Sequence, residues 1–199
     1  ITGRNVKKLE AAKEELERLY GIKVLTVQAD VNAGADNEAV VNNVVKQAMD
    51  TYGRIDVLIN NAQASASGVT LADHTTEQFD LAMYSGLYAA FYYMKACYPY
   101  LKETKGSVVN FASGAGLFGN YGQCSYAAAK EGIRGLTRVA ANEWAKDGIN
   151  VNAICPGYVD TLMANSIAMQ SDANNPESVK QAIADATPLK RLASPEEIG

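Results

Sequence analysis

Residues 107–157 read SVVNFASGAGLFGNYGQCSYAAAKEGIRGLTRVAANEWAKDGINVNAICPG, and the order of patterns inside them decides the fold. Ser107 to Ala112 is a short β-branched and apolar run without strict polar alternation, as expected of a strand covered on both faces. Gln123 to Lys146 has the periodicity of a long helix and is closed by Asp147-Gly148. Ile149 to Cys155 is a second covered-strand run. Strand, helix and strand at this spacing read as a right-handed βαβ crossover, which makes the two strands parallel.

Working outward toward the N-terminus, the same alternation continues. Lys23 to Ala29 (KVLTVQA) and Ile55 to Asn60 (IDVLIN) read as two further strands. Asn5 can cap a helix that carries Val6, Leu9, Ala12, Leu16 and Leu19 on one side. Asp36 to Tyr52 is a second helix, ended by Gly53. Thr76 to Leu101 is a long helical region with Pro99 near its end. Strand and helix taking turns predict an α/β protein of Rossmann type, a doubly wound parallel sheet with helices on both faces. Toward the C-terminus, Thr161 to Pro188 turns polar and irregular, with Asn174-Asn175-Pro176. That stretch reads as a flap over a site, within a segment of about 158–190, or as a plain pair of surface helices.

The 199 residues are expected to form one domain. Its ends look cut. Ile1-Thr2-Gly3 reads as the tail of a strand running into a helix, while a doubly wound dinucleotide fold needs a strand, a glycine-rich turn and a helix ahead of it. No glycine-rich turn of that kind stands ahead of the helix that Asn5 opens, and Pro195 to Gly199 reads as the start of a helix.

Composition narrows the function classes. Hydrophobic residues make up 48% and charged residues 20%, the balance of a globular protein. Net charge is -4, whereas binding nucleic acid calls for a basic surface, so nucleic acid is not an expected partner. No apolar run reaches the roughly 18 residues of a membrane span, and no signal peptide pattern opens the chain. Cys97, Cys124 and Cys155 are odd in number and lack CxxC spacing, which fits a reducing cytoplasmic setting. His74 is the only histidine, so a multi-histidine metal site is not expected and a serine–histidine hydrolase would depend on that one residue.

The chemistry concentrates in Ser113 and in Tyr126-Ala127-Ala128-Ala129-Lys130. Tyr126 and Lys130 are four apart and share a helix face. A free phenol ionises near pH 10, and an ammonium beside it favours the phenolate, tuning a proton donor and acceptor toward neutrality. Carbonyl reduction needs such a group as the oxygen becomes an alkoxide. Ser113 follows an apolar strand, at the C-terminal end where open α/β sheets place their sites, and its hydroxyl can donate to the carbonyl oxygen. A tyrosine and a lysine on a helix surface satisfy YxxxK by chance. With Ser113 thirteen residues earlier and Cys155-Pro156-Gly157 ending the segment, the catalytic reading is the better one.

Ser113, Tyr126-xxx-Lys130, Asn60-Asn61-Ala62, Asp30-Val31 and Pro156-Gly157 stand in the order and spacing of the short-chain dehydrogenase/reductase family. Gly122 to Lys130 (GQCSYAAAK) and Pro188 to Ile198 (PLKRLASPEEI) resemble its 3-oxoacyl-acyl-carrier-protein reductase type. The resemblance runs from residue 1 to 199 and implies an NAD(P)-dependent oxidoreductase. It implies that Tyr126 is the acid/base, that Lys130 tunes it and binds the nicotinamide ribose, and that Ser113 holds the substrate oxygen. Asp30 and Val31 would flank the adenine, and Asn61 and Ala62 would line the cofactor behind the ribose. Pro156, Gly157, Val159 and Thr161 would surround the nicotinamide amide, with Gln123 and Tyr158 toward the substrate. Taken singly, Asp30 could be a loop residue, Asn60-Asn61 a turn and Pro156-Gly157 a strand terminator.

Two positions depart from the family pattern. Its catalytic asparagine, on the long helix before Ser113, falls on Gly86, which still offers a main-chain carbonyl but loosens a helix. Its Asn-Asn-Ala-Gly ends here in Gln63, which could narrow the nicotinamide pocket or contact substrate. The carboxylate that NAD-dependent members present after the second strand is replaced by Gly3, followed by Arg4, which favours NADP(H) over NAD(H). Leu117, Phe118, Tyr121, Tyr158, Leu162, Met163 and Ile167 could build an apolar substrate wall, or serve as core and oligomer contacts. The tyrosine-rich stretch from Tyr84 to Tyr100 has too many aromatics for one face, and in this family that helix packs on a partner, implying a homotetramer or homodimer. The expected activity is reduction of a 3-oxoacyl or other bulky apolar ketone. The alternatives are a hydroxysteroid or alcohol dehydrogenase and, in another class, a catalytically weak binding module that kept the fold.

Overall fold

Two parallel sheets form the described chain, and each strand's exit places a candidate residue. The computed structural model describes residues 1–32 and 34–199, with the side chains of all but residues 35, 163 and 170 among them. Strand β1 (Thr2–Gly3) pairs with β2 (Val27–Gln28). Strands β3 (Val57–Asn60), β4 (Ser107–Phe111) and β5 (Asn150–Ile154) form the second sheet in the order β3-β4-β5, all parallel. Asn60 lies opposite Asn110 and Phe111 opposite Ile154, so β3, β4 and β5 end nearly level.

The intervening helices are α1 (Val6–Tyr20), α2 (Asn37–Tyr52), α3 (Thr76–Ala82) and α4 (Ala89–Thr104). After β4 come α5 (Gly114–Phe118) and α6 (Cys124–Trp144), and after β5 come α7 (Leu162–Ser171) and α8 (Pro176–Ala186). The caps expected from sequence are present. Asn5 accepts from the Lys8 backbone N–H at 3.1 Å, and Gly53 ends α2 in the left-handed region at φ 71°.

The core is shared by layers. Val41 and Val45 of α2, Met94, Cys97 and Leu101 of α4, Val108 of β4, Ala140 of α6 and Val151 of β5 form one buried cluster. Its burial pushes the Cys97 thiol up to about 12, leaving it inert. Helix α6 buries Ser125, Ala129, Ile133, Thr137 and Ala140 at three- and four-residue spacing, with Lys130 drawn in beside them.

The expected strand at Lys23 to Ala29 is cut to Val27–Gln28. Side chains capture the backbone before it: Val24 N–H donates to Glu17 Oε1 at 2.9 Å and Leu25 N–H to the Tyr52 hydroxyl at 2.7 Å. The stripe on α1 buries only Leu9, while Val6 and Leu19 are exposed. The long helical region is interrupted by a π-helical turn at Met83–Tyr88 and runs on to Thr104, with Pro99 inside α4. The polar stretch after Thr161 is not irregular: α7 and α8 pack on each other, matching the helix-pair alternative. Thr161 and Asn175 cap them through bonds to Ala164 N–H and Ser178 N–H.

Candidate active site

Strand β4 and helix α6 build the centre of the site. The last carbonyl of β4, on Phe111, accepts from Lys130 Nζ at 2.6 Å. That bond pins the lysine to the strand end two residues before Ser113. Ser113 has extended backbone and caps α5, its Oγ accepting from Ala115 N–H at 3.1 Å. One lone pair is used in this way, and the hydroxyl proton stays available to a substrate oxygen. Tyr126 lies in the first turn of α6, and Lys130 Nζ is 5.5 Å from the centroid of its ring. Lys130 is only 3% exposed, and that burial lowers its pKa to about 8.

Strand β5 lays the opposite wall. Ala112 N–H donates to Ile154 C=O at 2.9 Å and Gly114 N–H to Pro156 C=O at 3.1 Å, holding Pro156-Gly157 beside Ser113. Asn61 and Ala62 follow β3 directly and are exposed. Thus Asn61-Ala62, Ser113 and Pro156-Gly157 emerge from three adjacent strand ends, the edge where a doubly wound sheet receives its ligand. Val159 bridges to Ala193, and Thr161 spends its hydroxyl on capping α7. Asp30 and Val31 follow β2, with Asp30 Oδ1 accepting from Asn32 N–H at 2.9 Å. Arg4 follows β1, is exposed, and has no ion-pair partner among the described residues.

Gln123 starts α6, where its Oε1 accepts from Ser67 Oγ at 3.4 Å, and Tyr158 Oη accepts from Asn120 Nδ2 at 3.4 Å. Phe118 reaches back over the floor: a Cβ on Gly114 would stand 3.5 Å from its ring and 3.5 Å from Pro156 C=O. Leu117, Phe118, Tyr121, Tyr158 and Leu162 are all exposed apolar bodies, Ile167 is half-buried, and the side chain of Met163 lies outside the described residues. The donor set at the strand ends fits a dinucleotide: open backbone at Asn61-Ala62 and Gly157, a buried lysine, and a free guanidinium beyond β1.

Support for this centre was missed in the sequence. Asn110 is fully buried in β4, accepts from Asn60 Nδ2 at 2.8 Å and donates to Thr137 Oγ1 at 2.9 Å. This chain of polar groups ties β3, β4 and α6 together beneath the site. The signal was an asparagine at the same register in two apolar strands, where asparagine is otherwise depleted. A second contact is Ser125 Oγ with His74 Nε2 at 2.8 Å. Ser125 is fully buried, so this pair holds the start of α6 in place and exposes no nucleophile.

Comparison with known proteins agrees with this geometry. The short chain dehydrogenase family profile matches residues 1–173. A 12alpha-hydroxysteroid dehydrogenase of Clostridium sp. is 58% identical over 196 residues, covering 98% of this chain and 73% of that protein. A 3-oxoacyl-acyl-carrier-protein reductase of Thermotoga maritima is 35% identical over 159 residues, covering 79% of this chain and 61% of that protein. The crystal structure of levodione reductase superposes with a TM-score of 0.92 at 33% identity, covering 99% of this chain and 76% of that one. With a parallel α/β sheet, a strand-end serine and a YxxxK helix in one place, the chain belongs to the short-chain dehydrogenase family of oxidoreductases.

Proposed function

We propose that the protein interconverts a secondary hydroxyl and a ketone on a bulky, steroid-like substrate, using NADP(H). The observation that carries this reading is the set of exposed apolar side chains Leu117, Phe118 and Tyr121 on α5 and the segment that joins Ser113 to Tyr126, with Leu162 exposed at the start of α7, suited to a large rigid apolar body. The 58% relative, whose name is that of a hydroxysteroid dehydrogenase, supports this choice over the 3-oxoacyl substrate, to which the more distant Thermotoga maritima relative points.

The residues divide the work as follows. The substrate oxygen accepts from the Ser113 hydroxyl and faces the Tyr126 hydroxyl. In the oxidative direction Tyr126 takes the hydroxyl proton, and in the reductive direction it returns one to the forming alkoxide. Lys130, held by the Phe111 carbonyl, keeps a positive charge beside the phenol and reaches the ribose. Asp30 and Val31 would flank the adenine, Asn61 and Ala62 would line the cofactor behind the ribose, and Pro156, Gly157, Val159 and Thr161 would surround the nicotinamide amide. A bound nicotinamide dinucleotide supplies or accepts the hydride at the carbinol carbon. Gly3 in place of a carboxylate, with Arg4 exposed next to it, supports the 2'-phosphate form. Gln123 and Tyr158 orient the substrate. The stacked Tyr84 and Tyr88, with Tyr92 next in the row and Phe91 exposed, support self-association through α4.

The test is turnover of the full-length protein with NADP+ or NADPH over a panel of hydroxysteroids, ketosteroids and 3-oxoacyl thioesters, followed at the absorbance of reduced nicotinamide. The expected result is a kcat/KM at least about 100-fold higher for a steroid than for the thioesters. Preference for the thioester overturns the substrate assignment.

A further inference from the structure

Gln63 and Gly86 share one volume. A Cβ added to Gly86 would lie 2.7 Å from both Cδ and Nε2 of Gln63, and closer still to Oε1. Real Cβ contacts are not that short, so a side chain at position 86 requires the Gln63 carboxamide to move out of this hollow. Gly86 is buried in the middle of the π-helical turn Met83–Tyr88. Such turns open backbone groups that an α-helix would satisfy, and they concentrate at functional sites.

Side chains from outside close that turn. Gln63 Nε2 donates to Ala82 C=O at 3.1 Å, and Asn37 Nδ2 donates to Tyr84 C=O at 2.9 Å. Ser85 Oγ accepts from Ala64 N–H at 2.9 Å and lies 2.6 Å from Leu81 C=O, to which it donates. Residues 63 and 64 are therefore stitched through two independent bonds, one to Ala82 just before the turn and one to Ser85 within it. The turn also abuts α6: a Cβ on Gly132, two residues beyond Lys130, would stand 2.7 Å from a Leu87 methyl. The loop that begins with Asn61-Ala62 and the helix that carries Tyr126 and Lys130 thus both pack on one π-helical turn. Gln63 Oε1 is buried without a donor among the described residues, so the side chain is held by its Nε2 bond and by the shape of the hollow.

We propose that Gln63 is a positioning residue, whose carboxamide fills the empty side-chain space of Gly86 and locks the Asn61-Ala62 loop against the helix bearing Tyr126 and Lys130. The proposal rests on the reading above that Asn61-Ala62 line the nicotinamide dinucleotide. Its consequence is that the two positions are coupled. A side chain at position 86 displaces the Gln63 carboxamide from the bond that holds the loop.

The test uses the full-length protein and three measurements: NADPH affinity by fluorescence, thermal midpoint without cofactor, and kcat separated from KM for the best substrate. Gln63→Met keeps the bulk and loses the donor. It should leave the midpoint within about 3 °C of the parent, weaken NADPH binding and lower kcat by about 10-fold each, and leave substrate KM unchanged. Gly86→Asn alone drives a side chain into the glutamine and should weaken NADPH binding at least about 10-fold. The double change Gln63→Gly with Gly86→Asn brings a carboxamide into the same hollow from the opposite wall and should return affinity to within about 3-fold of the parent. Parent-like affinity and kcat in Gln63→Met would show that only bulk matters there and overturn the proposal. Additive losses in the double variant would do the same. If the parent itself binds neither NADPH nor NADH, the cofactor reading fails first, and that outcome is distinct because it appears before any substitution.

Discussion

Lys130 reaches past the Tyr126 ring, 5.5 Å from its centroid, to donate to the Phe111 carbonyl at 2.6 Å. The lysine is held by the strand end, and among the described residues no carboxylate pairs with it. Its charge is offered to whatever approaches Tyr126 and Ser113.

That arrangement has a pH signature in the cofactor-free protein. Burial lowers the Lys130 pKa to about 8, from an ordinary value of 10.5. Below about pH 8 the lysine is protonated both folded and unfolded, and the native state carries the full cost of burying the charge. Between about 8 and 10.5 the unfolded chain binds more protons than the folded one, so stability rises with pH across that window. Urea unfolding of the parent and of Lys130→Met should therefore diverge, the parent gaining up to roughly 3 kcal/mol relative to the variant by pH 10.5. A difference that stays flat from pH 7.5 to 10.5 contradicts the assigned burial.

The Asn60–Asn110–Thr137 chain should be a stability determinant. Asn110→Ala leaves Asn60 Nδ2 without its acceptor and opens space beside Met94, to whose sulfur Asn110 Nδ2 also points at 3.4 Å. The expected loss is about 2–4 kcal/mol by chemical denaturation, because one partly buried donor is left unsatisfied and a cavity is made. A loss below about 0.5 kcal/mol would place this network outside the fold's support.

The proposed preference for NADP(H) rests on Arg4. Arg4→Asp replaces an exposed guanidinium with a carboxylate that repels a 2'-phosphate and binds free ribose hydroxyls. The ratio of kcat/KM for NADP+ over NAD+ should fall at least about 30-fold, a charge reversal being worth roughly 2 kcal/mol at such a surface. An unchanged ratio removes Arg4 from the determinants of cofactor choice.

The parallel α/β plan was legible because strand and helix periodicities are local, and they alternate without interruption through residues 107–157. The strand at Lys23 to Ala29 was overread because Glu17 and Tyr52, distant in sequence, take the backbone donors of Val24 and Leu25. The helices after Thr161 left signals that were legible in principle: Thr161 and Asn175 at the caps, with Pro176 in the first turn. Ser113, Tyr126 and Lys130 were visible because a strand end and a four-residue helical spacing suffice to bring them together. The π-helical turn was not visible, since no residue pattern announces one. Gln63 and Gly86 each stood out as a departure, but only coordinates show that one fills the space of the other.

The central claim, that Tyr126 moves the proton while Ser113 and Lys130 serve it, is tested most directly by Tyr126→Phe in the full-length enzyme. The variant keeps the ring and its packing and loses only the hydroxyl. It should bind NADPH within about 3-fold of the parent and lose at least about 1000-fold in kcat, the range in which a positioned acid/base acts. Retention of more than about a tenth of the parent's kcat would contradict the account.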